Sequence, residues 1–277
     1  MMTSDTLDLP AYLVRLSYTG PVDTSVETLY ALQAAHIAAI PFEAIDVLLG
    51  DGINLDPTVI EDKLVRRGRG GYCYEHNGLY SRVLERLGFA VKARIARVLW
   101  GGVGESGFQP RTHMALQVEA AGETWLVDVG FGSAVPTAPL RWDDSDPQNT
   151  SLGCYRLMPT AFGRRLEVRS ENGWKMLYEV LDELPQQEDF EVSNWFTSTH
   201  PDSPFLHNLI VTHADGKGRV ILSGSELTVR APGEQVFKKK LDIEQLELVL
   251  RDIFNLHLDP ARLRPILAEL AWRKSVG

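Results

Sequence analysis

The sequence predicts an α+β fold in which a helical head is followed by an antiparallel β middle and a smaller α/β tail. Apolar residues recur every three or four positions over residues 1–87, which indicates amphipathic helices, whereas they alternate with polar residues from Phe89 onward, which indicates strands. The length of 277 residues exceeds what one compact core usually needs, so we expect subdomains over 1–87, 88–185 and 186–277.

The head contains three predicted helices, each with a recognisable start or stop. The first covers residues 25–40 and ends at Pro41. The second covers residues 57–66 and has a proline in its first turn, where a missing N–H costs little. The third covers residues 72–87 and ends at Gly88, a residue suited to a left-handed cap.

Alternation and turn residues define the elements of the middle and the tail. In the middle we expect six strands between glycine-rich turns, at 89–99, 113–119, 124–129, 155–159, 164–170 and 174–179. In the tail we expect a helix over 181–199, strands over 209–213, 219–223 and 226–230, and closing helices over 243–254 and 260–273.

The composition is that of a globular chain and excludes several classes of protein. A net charge of −9 argues against a nucleic-acid or acidic-membrane partner, since both need a broad basic face. No window approaches the roughly 18 apolar residues of a membrane span, and the start lacks the features of a secretory signal, so we expect a cytoplasmic protein. Two cysteines, Cys73 and Cys154, are too few for a disulfide scaffold or a four-thiolate zinc site. An enzyme is the leading class.

Cys73 is the first candidate for chemistry. It follows Gly70 and Gly71 at the start of a predicted helix, where unpaired backbone N–H groups and the helix dipole favour the nucleophilic thiolate. The two glycines also allow a substrate to approach the backbone closely. The alternative is that Cys73 is a small buried core residue.

A catalytic thiol needs a base, and that base needs an acceptor to orient it. His113 opens one predicted strand and Asp128 closes the next, so a hairpin would bring both side chains to the same end of the sheet. Asp128 is flanked by apolar residues, and a carboxylate there is costly unless a partner compensates it. A satisfied core histidine and a turn aspartate are the alternatives.

These motifs together resemble those of the arylamine N-acetyltransferase family. Five segments of this sequence carry the resemblance in register: PFE at 41–43, RGGYCYEHN at 69–77, THMAL at 112–116, DVGFG at 128–132 and SNWFTSTHPDSPF at 193–205. Two positions depart from the family pattern. Ala44 stands where asparagine is common, and His76 stands where glutamine is common.

The resemblance implies both a fold and a reaction. The fold would be an N-terminal helical bundle, a central antiparallel β-barrel-like domain and a C-terminal α/β lid, around a cysteine-protease or transglutaminase-like core. The reaction would be a double displacement through a triad of Cys73, His113 and Asp128. Acetyl-CoA would transfer its acetyl group to Cys73 as a thioester, and an arylamine, hydrazine or arylhydroxylamine would then attack it, as in xenobiotic metabolism.

The resemblance also implies which residues bind the acceptor. Phe42 and Phe131 correspond to positions that line the acceptor pocket, and Phe205 is a further candidate for the same wall. Aromatic walls suit a flat arylamine, although ordinary core packing would explain each phenylalanine too. The expected partners are a small aromatic amine or hydrazine and coenzyme A, with no metal, nucleic acid or membrane.

Two other patterns have structural interpretations. Cys73 and His76 form half of a zinc motif, but no second close pair of ligands accompanies them. Residues 102–107 match a dinucleotide-binding pattern, but the helix that should follow is absent from the prediction, so we expect a loop near the mouth of the site.

Two groups of charged residues also have structural interpretations. The basic cluster of Lys238–Lys240 with Arg230 is more typical of a solvated strand end than of a contact with CoA phosphates. Arg69 and Glu43 are expected to form a structural ion pair.

Two other functions remain open from the sequence. The same triad serves thiol hydrolases and transglutaminase-like acyl transferases that act on amides. A binding module that kept the fold and lost turnover is the third reading, and the presence of all three triad residues argues against it.

Overall fold

The computed structural model describes residues 7–102 and 109–276, and its first part is the predicted helical head. Ser25 caps the helix that begins at Val26 by accepting a hydrogen bond from the Thr28 amide at 3.2 Å. Gly88 ends the helix that begins at Cys73, with φ at +102°. The expected segment 57–66 is helical, but its second half is a π-helical turn. The elements are α1 (Leu9–Arg15), α2 (Val26–Ala39), β1 (Phe42–Glu43), α3 (Ile45–Leu48), α4 (Pro57–Glu61), the π-turn (Asp62–Arg66) and α5 (Cys73–Leu87).

The middle of the chain is an eight-stranded antiparallel sheet that curls into a nearly closed barrel, which confirms the α+β class. Its strand order is β5-β4-β3-β2-β9-β8-β7-β6, so all eight strands come from the middle segment of the chain. The strands are β2 (Ala90–Val98), β3 (Arg111–Ala120), β4 (Glu123–Val127), β5 (Leu140–Arg141), β6 (Gln148–Thr150), β7 (Gly153–Pro159), β8 (Gly163–Ser170) and β9 (Gly173–Leu181).

The predicted helix over 181–199 is wrong at its start. Val180 and Leu181 belong to β9, where they pair with Arg164 and Gly163 of β8, and helix α6 covers only Gln187–Thr199. Both side chains are buried in the sheet. Pairing and burial therefore decide the structure of Leu181, whereas residues 182–186, which include Pro185, form neither helix nor strand.

The tail is built on a five-stranded antiparallel sheet in the order β1-β10-β11-β12-β13. Strand β1 comes from the head, where Phe42 pairs with Thr212 of β10. The division into three subdomains stays a prediction, with head and tail sharing this sheet. The remaining elements are β10 (Ile210–Ala214), β11 (Arg219–Ser223), β12 (Glu226–Arg230), β13 (Phe237–Lys240), α7 (Ile243–Asp252) and α8 (Pro260–Val276).

Three apolar cores hold these layers together. The largest lies between the head helices and strands β2–β4 and includes Cys73. A second packs the tail sheet against α7 and α8, around Leu222 and Leu246. The third fills the barrel around Leu166 and Tyr178. Among the described residues, no helix combines the length and the apolar character that crossing a bilayer requires.

Candidate active site

Cys73 is the first residue of α5 and lies at the meeting point of head and barrel. Its thiol is buried, with Sγ 3.8 Å from the carbonyl oxygen of Thr112 in β3. The Glu75 carboxylate accepts a hydrogen bond from the Tyr72 amide at 3.0 Å, which closes the start of the helix. The expected helix start at Cys73 is confirmed, and its first-turn amides lack partners within the helix.

The glycines before Cys73 serve the packing of the protein's own backbone. A Cβ atom at Gly70 would lie 2.1 Å from the Pro41 carbonyl oxygen, and one at Gly71 would lie 2.8 Å from the Glu75 carboxylate. The close approach that the sequence suggested for a substrate is therefore an approach between two segments of this chain. A larger residue at Gly70 would push the cysteine loop away from Pro41 and β1, and one at Gly71 would displace Glu75.

His113 and Asp128 lie on the predicted hairpin. Strands β3 and β4 pair in antiparallel register, with Leu116 opposite Val127, and Asp128 follows directly. His113 Nε2 donates to Asp128 Oδ2 at 2.8 Å, which leaves Nδ1 for the cysteine side. Imidazole and carboxylate are both almost completely buried, at 2% and 1% exposure.

The electrostatics of this pair favour a charged imidazole. Burial alone lowers the pKa of His113, but the Asp128 carboxylate and a hydrogen bond to Cys73 outweigh burial and raise it to about 10. Burial raises the pKa of Asp128, and His113, Asn77 and the Gly130 amide outweigh burial and lower it. The His113 imidazole therefore interacts with the Asp128 carboxylate and lies on the same side of the molecule as Cys73.

Asn77 is a site residue that the sequence reasoning missed. Its amide donates to Asp128 Oδ1 at 3.0 Å and to the Met114 carbonyl at 2.7 Å, and its oxygen accepts from the Val129 amide at 3.1 Å. One side chain therefore joins the helix of Cys73 to the strand of His113 and the turn of Asp128. Its spacing of four residues from Cys73 places both on one helix face, which is the signal that could have identified it.

The expected ion pair between Arg69 and Glu43 is present and belongs to a larger buried cluster. Arg69 contacts Glu43 at 2.6 Å and Asp46 at 2.8 Å, and Lys63 contacts Asp46 and Glu75 at 2.7 Å each. We call these five residues the ionic cluster. Burial lowers the pKa of Lys63, but the surrounding carboxylates outweigh it and raise the pKa above the ordinary value. The cluster anchors the first turn of α5 to the head.

A cavity of about 660 Å³ opens over the sulfur and the imidazole. Phe42, Phe131 and Phe205 border it together with Cys73 and His113. The ring of Phe131 contacts His113 edge-on, with centroids 5.1 Å apart, and Phe205 lies 6.1 Å from Phe42. The structure therefore brings the predicted site residues together, with Asp128 behind His113.

A second cavity of about 860 Å³ adjoins the first and shares Trp100 and Ser133 with it. Its border is rich in basic side chains. Strand β13 is exposed, as expected for a solvated strand end, and Lys238 forms an ion pair with Glu226 at 2.8 Å. The basic residues on the border are Arg169, Lys175, Arg219, Arg230 and Lys238.

Two further sequence patterns have different outcomes. His76 forms hydrogen bonds with His36 at 2.8 Å and with the Pro41 carbonyl at 3.2 Å. Over residues 7–102 and 109–276 no group of three or more His, Cys, Asp or Glu side chains could hold a metal ion. Most of the glycine pattern at 102–107 lies outside the described residues.

Comparisons with known proteins agree in family. A family model described as N-acetyltransferase matches residues 25–263. An arylamine N-acetyltransferase of Mycobacterium tuberculosis (strain H37Rv) is 40% identical over 230 residues, which cover 82% of this chain and 81% of that protein. The Escherichia coli (strain K12) arylamine N-acetyltransferase is 36% identical over 262 residues, which cover 94% and 92%.

Solved structures agree with this family in fold. The M. tuberculosis arylamine N-acetyltransferase structure has a TM-score of 0.91 and 37% identity, covering 95% of this chain and 100% of that one. The Mycobacterium marinum arylamine N-acetyltransferase in complex with CoA has a TM-score of 0.91 and 36% identity, covering 95% and 99%. Both likenesses extend over head, barrel and tail.

Proposed function

Because this chain belongs to the arylamine N-acetyltransferase family, we propose that it transfers acetyl groups from acetyl-CoA to arylamines, arylhydrazines or arylhydroxylamines through a thioester on Cys73. The observation that supports this proposal is that Cys73 and His113 border one aromatic cavity, with Asp128 hydrogen-bonded to His113 behind it. A nucleophile, a base and an orienting carboxylate in sequence are what a covalent acyl-transfer mechanism requires.

In the first half-reaction, the sulfur of Cys73 attacks the carbonyl carbon of acetyl-CoA. A new carbon–sulfur bond forms to Cys73, the bond to the CoA sulfur breaks, and the proton held on His113 passes to the departing CoA thiolate. One thioester replaces another, so the step is close to isoenergetic. The protein mainly has to supply an ionised nucleophile, its position and stabilisation of the oxyanion.

In the second half-reaction, the nitrogen or oxygen of the acceptor attacks the thioester carbon. His113 takes the proton of the acceptor as the new bond forms, and the bond from carbon to Cys73 sulfur breaks. Asp128 stabilises the imidazolium that results and holds the ring through Nε2, which leaves Nδ1 to exchange the proton. The backbone amide of Cys73, at the start of α5, is the candidate donor to the oxyanion.

The two cavities suit the two substrates. Phe42 and Phe131, with Phe205 beside them, give the cavity over Cys73 an apolar, aromatic border that matches a flat aryl ring. The adjoining cavity has arginine and lysine side chains on its border, which match the phosphates of coenzyme A. Acetyl-CoA acts as a co-substrate in this scheme, and we place the reaction in the cytoplasm.

Intact mass after incubation with a slight excess of acetyl-CoA tests this function. We expect one added acetyl group in the wild type and in Cys154→Ala, and none in Cys73→Ala. Cys154 is the matched control because it is the second free cysteine of the chain. An adduct that persists in Cys73→Ala, or its absence from the wild type, would contradict the mechanism.

The fate of the adduct separates the proposed function from its alternative. We expect the acetyl group to remain on Cys73 in buffer and to leave on addition of an arylamine such as aniline, with acetanilide as the product. Rapid loss in buffer without amine would instead indicate a thiol hydrolase or a transglutaminase-like acyl transferase.

A further inference from the structure

Three side chains and one carbonyl group of the head form a buried hydrogen-bonded chain beside the candidate site. The Tyr12 hydroxyl lies 2.7 Å from His36 Nδ1, and His36 Nε2 lies 2.8 Å from His76 Nδ1. His76 Nε2 lies 3.2 Å from the carbonyl oxygen of Pro41. All three side chains are at most 1% exposed. We call these four groups the histidine relay, and none of them belongs to the triad.

The direction of every hydrogen bond in the relay follows from its last member. The Pro41 carbonyl can only accept, so His76 carries its proton on Nε2 and accepts at Nδ1. His36 must then donate from Nε2 and accept from the Tyr12 hydroxyl at Nδ1. Burial lowers the pKa of His76 to about 4, and burial with the neighbouring His76 and Arg15 lowers that of His36. Both rings are therefore neutral near pH 7.

The relay ends at the residue before an aromatic wall of the cavity. Phe42 follows Pro41, pairs with Thr212 of β10, and borders the same cavity as Cys73. Its ring lies nearly parallel to the His76 imidazole, at an interplanar angle of 12° and a centroid distance of 6.4 Å. His76 therefore contacts the Pro41–Phe42 segment through its ring nitrogen and through its ring face.

His76 also shares a helix turn with the nucleophile. It lies three residues after Cys73 in the first turn of α5, so the two residues move as one rigid unit. The hydrogen bond from His76 to Pro41 thus helps to set the distance between the sulfur and Phe42, together with the backbone hydrogen bond from the Glu43 amide to the Gly71 carbonyl at 2.7 Å. An aromatic acceptor must fit between Phe42 and Cys73 to reach the thioester.

The hydrogen bonds made at position 76 define which side chains could take this role. Glutamine offers an amide donor and a carbonyl acceptor. An imidazole protonated on Nε2 also offers one donor and one acceptor. Both residues can therefore accept from His36 and donate to Pro41, whereas an apolar residue can do neither.

We propose that His76 is a positioning residue for the acceptor, which holds Phe42 at a set distance from Cys73 through the Pro41 carbonyl and so determines the KM for the arylamine. This inference rests on the proposed function. The relay does not enter the transfer of the acetyl group from CoA to Cys73.

The test compares His76→Leu, His76→Gln and the wild type in the two half-reactions. For His76→Leu we expect the KM for aniline to rise about tenfold, as the loss of buried hydrogen bonds predicts, while the single-turnover rate of Cys73 acetylation stays within about twofold. For His76→Gln we expect a KM within about twofold of the wild type, because the donor and acceptor are restored. An unchanged KM in His76→Leu, or equal effects on both half-reactions, would overturn the proposal.

A measurement on the wild type keeps the proposal testable even where the leucine variant does not fold. Nitrogen-15 NMR of the histidine rings should show His36 and His76 neutral and protonated on Nε2. Protonation of His76 on Nδ1 would overturn the relay. Absence of an acetyl adduct on wild-type Cys73 would instead contradict the proposed function, whatever the ring signals show.

Discussion

Two buried groups of charged side chains pack against the first turn of α5. They differ in whether protein partners surround every charge or one side faces a cavity. In the ionic cluster, Lys63 and Arg69 each contact two carboxylates, so opposite charges surround every cation. In the proposed triad, His113 contacts Asp128 on one side and borders the cavity on the other. Burial of charge is common to both, whereas an open side toward a cavity is what makes a charged pair available for chemistry.

Neutralising Asp128 should have the largest effect on the catalytic side of this comparison. In Asp128→Asn the carboxylate that orients His113 is lost, and we expect acetylation of Cys73 to slow by about 10³ to 10⁴-fold, the size typical of triad carboxylates. The measurement is the single-turnover rate by intact mass. A rate within tenfold of the wild type would show that Asp128 only supports the fold.

Breaking the ionic cluster should affect stability more than chemistry. Lys63→Met leaves Asp46 and Glu75 without their shared cation, and we expect the free energy of unfolding to fall by about 3–5 kcal/mol, as for other broken buried pairs. Urea unfolding measures this loss. Arg264→Met is the matched control, since its ion pair with Glu247 lies at the surface and should contribute nothing measurable. Equal losses of unfolding free energy in both variants would contradict the expectation that the buried pair stabilises the protein more than the exposed pair.

A further effect should appear in the pH dependence of stability. The pKa of His113 is raised in the folded state from 6.5 to about 10, so the folded protein holds this proton more tightly than the unfolded chain does. Its contribution is complete below pH 6.5 and is lost as pH rises through about 10. We therefore expect the stability difference between wild type and Asp128→Asn to shrink over that interval. A difference independent of pH would contradict a charged His113.

The sequence was sufficient to predict the helical head, most strands of the barrel and the hairpin that joins His113 to Asp128. These features follow from local periodicity and from short motifs, which act within one element or between neighbours in the chain. The helix predicted over 181–199 begins six residues late, because Leu181 in β9 pairs with Gly163 and residues 182–186, which include Pro185, form neither helix nor strand. Pairing with a distant strand cannot be predicted from the local spacing of apolar residues.

The residues that the sequence reasoning missed act across long separations. Lys63 and Glu75 are ordinary charged residues of two helical segments until the fold brings Lys63 Nζ within 2.7 Å of the Glu75 carboxylate. His36 and His76 likewise lie forty positions apart and contact each other inside the head. Asn77 was visible only as part of a motif, because its partners Met114 and Asp128 lie on other elements.

The two-residue strand β1 has a consequence for how the protein is made. Phe42 leaves the ribosome long before Thr212, its partner in β10, and domains form from the N-terminus as synthesis proceeds. The nascent chain therefore carries Cys73 through a long part of translation with Phe42 held only by contacts within the head and without its strand partner. Pairing of Phe42 with Thr212 waits for the last quarter of the polypeptide, so the acceptor pocket proposed above is complete only when the molecule is nearly finished.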